Sequence, residues 1–198
     1  ESRLQEEIES HPDGGFYQPQ LQNDVEKLET FYLDQGFREF TIRFDAEQEE
    51  ENFFSVSFSI QEGRRVKIEN IIITGNEVTR RNTVMREVLL NPGDYAYNDR
   101  IRMTKRRLEN LGIFAEVNIE EISLSPERIN LLINLREGER NYVSLGIGLE
   151  TKNEPRSFEI WNNVVRPRGT TEFIRSNIFG TAAQFSLVGQ RSEERRVG

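Results

Sequence analysis

The segment LENLGIFAEV, residues 108–117, contains the end of a helix and the beginning of a strand. Leu108 and Leu111 are three residues apart, so they share one face of a helix. Gly112 follows at the place where a residue with left-handed backbone often ends a helix, and Phe114 opens an apolar strand. This junction predicts a module in which a helix leads directly into a sheet.

A looser copy of this junction lies upstream, at Leu28, Phe31, Gly36 and Phe37. The chain therefore contains a small module at least twice. Repetition of one supersecondary unit is typical of scaffolds built from stacked modules, so it indicates a scaffold before it indicates an enzyme.

The second copy is the fuller of the two. Apolar patterning predicts, in order, a strand at 66–74, two helices, and strands at 114–122 and 129–135. Thr79 is the predicted N-cap of the first helix, and Asn98 or Asp99 is the predicted N-cap of the second.

The order of these elements constrains the sheet. Two antiparallel helices return the chain to the end at which it left the first strand, so the second strand runs antiparallel to the first. The third strand then returns beside the second as a hairpin. The simplest mixed sheet has the third strand in the middle, both helices on one face and the second strand at an exposed edge.

The first copy lacks an opening strand. A helix predicted at 19–35, ended by Gly36, precedes strands at 40–44 and 54–60 in which apolar residues alternate. The acidic run 45–51 between these strands is interpreted as a solvated hairpin loop rather than a metal site.

The connection between the two copies is short. Residues 61–65 contain neither proline nor a serine-rich spacer, and flexible reach grows only with the square root of the number of residues. We therefore expect a hinge at Gly63 that restricts the angle between the copies.

Composition excludes several classes of protein. The net charge of −8 over 198 residues argues against nucleic acid as the main partner, since proteins of that class carry a clustered basic face. The chain contains no cysteine, which excludes a disulfide framework and a thiolate metal site. It begins at Glu1 without an initiator methionine, so we expect an excised fragment.

No set of residues in the sequence supports enzymatic chemistry. His11, the only histidine, lies beside a proline and has no evident nucleophile or carboxylate partner. Gly146 and Gly148 form a G-x-G, but no helix is predicted after it, as a dinucleotide site requires. We therefore predict a non-enzyme with no catalytic residue, no cofactor and no metal.

Alternation of another kind begins in the last third of the chain. Val143, Leu145, Ile147 and Leu149 alternate there with small or polar residues. The pattern fits an outer-membrane barrel strand, with lipid on one side and a polar lumen on the other. A buried strand of a soluble sheet produces the same pattern, and periodicity alone does not choose between them.

Together, these motifs resemble the POTRA domains of the outer-membrane protein assembly family, the BamA-like proteins. The matching sites are the turn Gly75-Asn76, the L-x-x-L-G-x-F-x-x-V motif ending at Val117, the R-E-G motif ending at Gly138, the L-G-I-G-L segment ending at Leu149 and the N-I-F-G-T turn ending at Thr181. The last two are similar to the first barrel strand and an early barrel turn of that family.

The resemblance implies an α+β fold of tandem POTRA-type β-α-α-β-β units, followed by the first antiparallel strands of an incomplete outer-membrane β-barrel. It divides the chain into a POTRA-type domain without its first strand (1–63), a complete POTRA-type domain (64–139) and initial barrel strands (140–190). Residues 191–198 look like a translated sequencing adapter and are predicted to be a non-native tail.

The resemblance also implies a function: the periplasmic part and barrel entrance of an outer-membrane protein assembly and insertion factor, which binds unfolded outer-membrane clients by strand addition. The predicted client-binding edge comprises Phe114, Ala115, Glu116, Val117, Asn118 and Ile119. A contact with accessory assembly lipoproteins is predicted at Arg86 and Glu87. The expected location is the outer membrane, with the POTRA-type domains in the periplasm.

Two alternatives remain open at this point. One is a structural POTRA-type interaction module, in which residues 140–190 form a soluble β-domain. The other is a relative of the same superfamily that is dedicated to secretion or translocation. The basic run 105–107 is interpreted as a solvated helix face.

Overall fold

The computed structural model describes Leu4 and residues 18–50, 53–152 and 164–192. In chain order these residues form α1 (Gln18–Asp34), β1 (Thr41–Glu50), β2 (Phe53–Gln61), β3 (Lys67–Thr74), α2 (Arg81–Met85), α3 (Asn98–Asn110), β4 (Phe114–Ser125), β5 (Arg128–Glu137), β6 (Asn141–Lys152), β7 (Val164–Ile178) and β8 (Ala183–Ser192). The strands form three sheets, with the orders β1-β2, β3-β5-β4 and β6-β7-β8. None of the helices in the described ranges is long and apolar enough to cross a membrane.

The second copy of the module has the predicted sheet. β5 lies in the middle, parallel to β3 and antiparallel to β4. Its residues Leu131 and Ile133 are completely buried, and Leu108 of α3 is buried with them in one apolar cluster. The helices therefore cover one face of the sheet, and β4 lies at its edge.

The first helix of this copy differs from the prediction. It comprises only Arg81–Met85, its N-cap is Arg80, and no side chain caps it. Thr79 is not the cap, because its hydroxyl donates to the carboxylate of Glu137 at 2.6 Å, and a carboxylate is a stronger acceptor than a neutral group. Beyond Met85 the chain leaves the helix and buries Leu90 in the core.

The predicted cap of the next helix is also wrong. α3 begins at Asn98 itself, so Asn98 and Asp99 both lie within its first turn, and the cap position is occupied by Tyr97. No side chain makes a capping hydrogen bond at Tyr97. Asp99 instead contributes negative charge to the first turn, where the helix dipole favours it.

Residues 45–50 of the acidic run belong to a strand, β1, rather than to a hairpin loop. Asp45 and Glu47 belong to β1 and pair with Ser57 and Ser55 of β2. The ladder is made by backbone groups, and uncharged serines opposite the carboxylates avoid the repulsion that like charges would cause. Both carboxylates are exposed, so this part of the strand forms without burying them.

Arg38 joins the two copies of the module. Its guanidinium donates two hydrogen bonds of 2.8 Å to the carboxylate of Glu121 on β4 and a third, of 2.7 Å, to the carbonyl of Ala96. Gly63, the predicted hinge, lies so close to Glu39 that an added Cβ would be 1.8 Å from its carbonyl oxygen. Gly63 therefore permits a close backbone approach at this connection.

The third sheet has one exposed apolar face. Val143, Leu145 and Ile147 are exposed on β6, whereas the alternate residues Ser144 and Gly146 are half-buried. His11 and residues 193–198 of the predicted tail lie outside the described residues. The first two residues of that tail, 191 and 192, belong to β8.

Candidate functional site: the outer strand of the second sheet

β4 carries all six residues of the predicted client-binding edge. Within the described chain it pairs with β5 on one side, and no strand pairs with its other side. Val117 is buried, Phe114 and Ile119 are half-buried, and Ala115, Glu116 and Asn118 are exposed. The strand therefore holds Phe114, Val117 and Ile119 in the apolar core, while its outer backbone groups have no strand partner among the described residues.

Two irregularities bound the regular part of this edge. The register of β4 against β5 shifts between Phe114 and Glu116, and again between Ser123 and Ser125. Such bulges interrupt a ladder and commonly limit pairing at sheet edges. The regular ladder thus runs over residues 116–123, and Phe114 and Ala115 lie at its irregular start.

Carboxylates line the exposed side of this edge. Glu116 accepts from the guanidinium of Arg136 on β5 at 3.1 Å, and Glu120 accepts from the amide of Asn118 at 2.7 Å. Charged side chains on an edge strand oppose uncontrolled pairing between sheets. The edge is therefore open to a strand but protected from indiscriminate association.

The predicted accessory contact lies elsewhere in the second copy. Arg86 forms the C-cap of α2, and its Nε donates to the carboxylate of the adjacent Glu87 at 3.3 Å. No hydrogen bond or ion pair links this pair to β4 among the described residues. The structure does not bring the two predicted sites together into one.

A cluster that the sequence did not reveal lies where the second copy meets the third sheet. Glu137, the last residue of β5, accepts hydrogen bonds from the amides of Val78 and Thr79 at 3.1 and 2.7 Å and from the Thr79 hydroxyl. Partial burial raises the pKa of Glu137, but these hydrogen bonds and the nearby Arg140 outweigh burial and hold the pKa below its usual range. Glu137 is therefore an ionised acceptor at neutral pH.

One further perturbed group lies in the first copy. The Tyr32 hydroxyl donates to the carboxylate of Glu62 at 3.0 Å. Burial, followed by the hydrogen bond and negative charge of Glu62, raises the pKa of Tyr32 to about 12. This pair ties α1 to the end of β2. No group of three or more metal-ligating side chains occurs in the described ranges.

The module matches a known family. The family model of POTRA domains, described as a surface antigen variable number repeat, matches residues 1–63 and 66–138. The chain belongs to the POTRA family. The resemblance drawn from the sequence is therefore confirmed, and the two copies of the module are two matched POTRA segments.

The chain has curated relatives that are named as assembly factors. The chain is 26% identical over 133 residues to the outer membrane protein assembly factor BamA of Nitratidesulfovibrio vulgaris, covering 66% of this chain and 17% of the relative. It is 28% identical over 137 residues to BamA of Neorickettsia risticii, covering 69% of this chain and 17% of the relative. The chain thus spans about a sixth of the length of these relatives.

Solved structures share the fold over nearly the whole chain. BamA from Haemophilus ducreyi lacking POTRA domains 1-3 gives a TM-score of 0.78 at 18% identity, covering 96% of this chain and 34% of that one. CdiB from Acinetobacter baumannii gives 0.54 at 17% identity, covering 98% of this chain and 34% of that one. The predicted α+β class of POTRA-type units followed by antiparallel strands is confirmed, and the described strands form no closed barrel.

Proposed function

We propose that this chain is the membrane-side POTRA region and the barrel entrance of an outer-membrane protein assembly factor, and that it has no enzymatic activity. The observation that carries the proposal is the open outer edge of β4, which lies in a POTRA unit that leads directly into an antiparallel sheet with an exposed aliphatic face. The names of the curated relatives support the same function.

Strand addition is the mechanism that this edge favours. A client segment in extended conformation pairs with the outer backbone groups of β4, and each hydrogen bond forms without regard to the client side chain. Val117 and Ile119 turn towards the helices, so they offer the client no specificity pocket. An edge of this kind suits clients that differ in sequence and share only an unfolded state.

In this proposal, the third sheet is the part of the chain that contacts the membrane. Its register aligns Val143 with Phe173 and Phe173 with Leu187, so one face carries an apolar row across all three strands. On the other face, Gly146 lies opposite Thr170, and a Cβ added at Gly146 would lie only 2.5 Å from the threonine hydroxyl oxygen. We assign the apolar face to lipid and the small, polar face to the barrel lumen.

The partners follow from this assignment. Unfolded outer-membrane proteins are the clients, the outer membrane holds the strands, and the periplasm contains the POTRA units. We keep Arg86 and Glu87 as the contact with accessory lipoproteins, because the pair is solvent-accessible and lies on a different element from the client edge.

A proline scan of β4 tests the client edge. Proline removes one backbone donor, and it is placed in turn at residues 116–120 of the full chain in detergent micelles. At positions whose N–H points away from β5, we expect the fold to survive and the affinity for an extended client peptide to fall about tenfold, since the ring also blocks the neighbouring bond.

A substitution that keeps the N–H at one of these positions separates the effect of losing the backbone donor from the effect of changing the side chain. Ile119→Val keeps the N–H that Ile119→Pro removes, so we expect Ile119→Val to bind the peptide as the unmodified chain does. Binding is followed by NMR titration, with the amide shifts of β5 as the measure of the fold. If every folded proline variant binds with unchanged affinity, β4 is not the client edge.

The fold shared with CdiB favours a second candidate, a translocation relative of the same superfamily. A third candidate, the structural module with a soluble β-domain, predicts that the full chain is monomeric and folded in buffer without detergent. Sedimentation in buffer and in micelles distinguishes it, because the proposed barrel entrance requires aggregation or micelle binding.

A further inference from the structure

The turn between β7 and β8 is docked on the second POTRA unit. Residues 177–182 include three residues other than glycine with positive φ: Asn177, Phe179 and Ala182, at 55°, 55° and 62°. Such residues cost conformational free energy and persist where surrounding contacts hold them. The turn is held partly by its own hydrogen bonds, such as that from the amide of Ala182 to the side-chain oxygen of Asn177 at 3.2 Å, and partly by contacts with the POTRA unit.

Two of these contacts end on a single carbonyl. The carbonyl oxygen of Gly180 accepts a hydrogen bond from the amide of Arg80 at 3.0 Å and another from the hydroxyl of Thr83 at 2.8 Å. Thr83 is buried. If the turn moved away, the Thr83 hydroxyl would lose its partner in the protein, which is costly for a buried group unless water replaces it.

A third contact passes through Thr79 to Glu137. The Thr79 hydroxyl has one hydrogen, and it is donated to the ionised Glu137 carboxylate, which can only accept. The hydroxyl oxygen is thereby left to accept from the side-chain amide of Asn177 at 2.8 Å. Glu137 thus orients the group that Asn177 binds, although 40 residues separate the two in sequence.

The shape of the turn is matched to this site. A Cβ on Gly180 would lie 2.3 Å from the carbonyl oxygen of Val78 and 3.0 Å from the nitrogen of Arg80. Any side chain at residue 180 would push the turn away from the POTRA unit. The contact is also polar: Phe179, at the tip of the turn, is 82% exposed.

We propose that Thr79, Thr83, Glu137, Asn177 and Gly180 form a releasable latch that sets the orientation of the second POTRA unit relative to the hairpin β7–β8. The latch is releasable because polar bonds hold it, and water can satisfy their groups when the turn lifts away. When it opens, the exposed Glu139 between β5 and β6 provides the hinge, because the carbonyl of Arg140 is already bonded to the amide of Ser176 on β7 at 2.7 Å.

Closing the latch places the client edge of β4 at one fixed position relative to the third sheet, and opening it frees that position. The proposal goes beyond client binding and does not depend on it. It can therefore be tested without a client.

Amide hydrogen exchange of the full chain in micelles tests the latch. The amide of Arg80 is the reporter, since its partner is Gly180. We expect Thr83→Val and Gly180→Ala each to speed its exchange about tenfold or more, because both lower the free energy of local opening. The amide of Ile133 reports on the fold and should be unchanged.

Two matched controls separate the latch from ordinary destabilisation. Gly112→Ala places alanine at nearly the same φ as Gly180, +66° against +68°, but with nothing within 4 Å of the new Cβ. Thr104→Val removes another buried hydroxyl, one that accepts from the amide of Leu89. In both controls, we expect the Arg80 amide to exchange at a rate within about twofold of its rate in the unmodified chain.

A distance measurement supplies an independent readout. The chain contains no cysteine, so spin labels at Lys105→Cys and Gln190→Cys report one distance between the POTRA unit and the third sheet. Gly180→Ala should broaden its distribution, and Gly112→Ala should not. The latch is overturned if the exchange rate of the Arg80 amide and the label-to-label distance are unchanged in both latch variants. It is also overturned if the controls change these quantities equally, or if Gly180→Ala removes the protection of the Ile133 amide.

Discussion

Two three-stranded sheets in this chain have the same alternation of side chains between their two faces, but their apolar faces have opposite surroundings. In the sheet β3-β5-β4, helices cover the apolar face, and Leu131 is 0% exposed. In the sheet β6-β7-β8, the apolar face is uncovered among the described residues, and Ile147 is 97% exposed. A period of two decides which residues share a face, but it does not decide what that face contacts.

The difference lies in the connections. β3 and β4 are separated by a segment that forms two helices, and these return over the sheet and bury its face. β7 and β8 are joined by a tight turn, and none of the described helices covers the apolar face of their sheet. A large exposed apolar face marks an interaction site, and we propose lipid as its partner.

The largest effect should come from the covered sheet. Leu131→Ala removes a fully buried side chain, and we expect it to lower the free energy of unfolding of the second POTRA unit by about 2–5 kcal/mol. Ile147→Ala is the control and should change this stability by less than about 0.5 kcal/mol. Urea unfolding, followed at the amides of β5, measures the free energy of unfolding of both variants. An equal loss of stability in the two variants would contradict the difference between the two sheets.

A charge on the uncovered face should have the next largest effect. Leu145→Arg is expected to weaken association with lipid vesicles by about 2–4 kcal/mol if the residue lies near the bilayer midplane. Gln190→Arg places the same charge on the opposite face, which the register aligns with Gly146 and Thr170, and should have little effect. Vesicle flotation distinguishes the two variants. Equal binding by both would refute the assignment of the faces.

The smallest effect should come from lowering the pH, which acts on Glu137 at the contact between the second POTRA unit and the turn between β7 and β8. Because the folded-state pKa of Glu137 is lowered, its stabilising contribution is complete above the pKa of an unfolded glutamate and is lost as the pH falls through the lower folded-state value. Arg80 exchange, corrected for the intrinsic pH dependence, should therefore accelerate only below the usual range of glutamate.

Glu137→Gln supplies the comparison for the acid effect. The variant has no carboxylate at this position, so we expect a weaker latch at neutral pH and no further loss on acidification from residue 137. If lowering the pH accelerates exchange of the Arg80 amide equally in Glu137→Gln, the effect comes from another group.

Much of the second POTRA unit could be predicted because its signals are local. The spacing of Leu108, Leu111 and Gly112 specifies a helix end, and short connections leave few sheet orders to consider. The predicted order, with β5 in the middle and β4 at the edge, was correct for this reason. Caps were harder to predict, because Thr79 found a better acceptor in Glu137, 58 residues away.

The sequence by itself determined the order of the elements in the second POTRA unit, the faces of its strands and the edge position of β4, since periodicity, turn residues and connection lengths are properties of neighbouring residues. Only the tertiary structure decided that the acidic run of β1 continues its ladder, that Arg38 joins the two POTRA units, and that Asn177 meets Thr79 across 98 residues. Hydrogen bonds of that kind depend on distance and angle between groups far apart in the chain, and no local pattern encodes either.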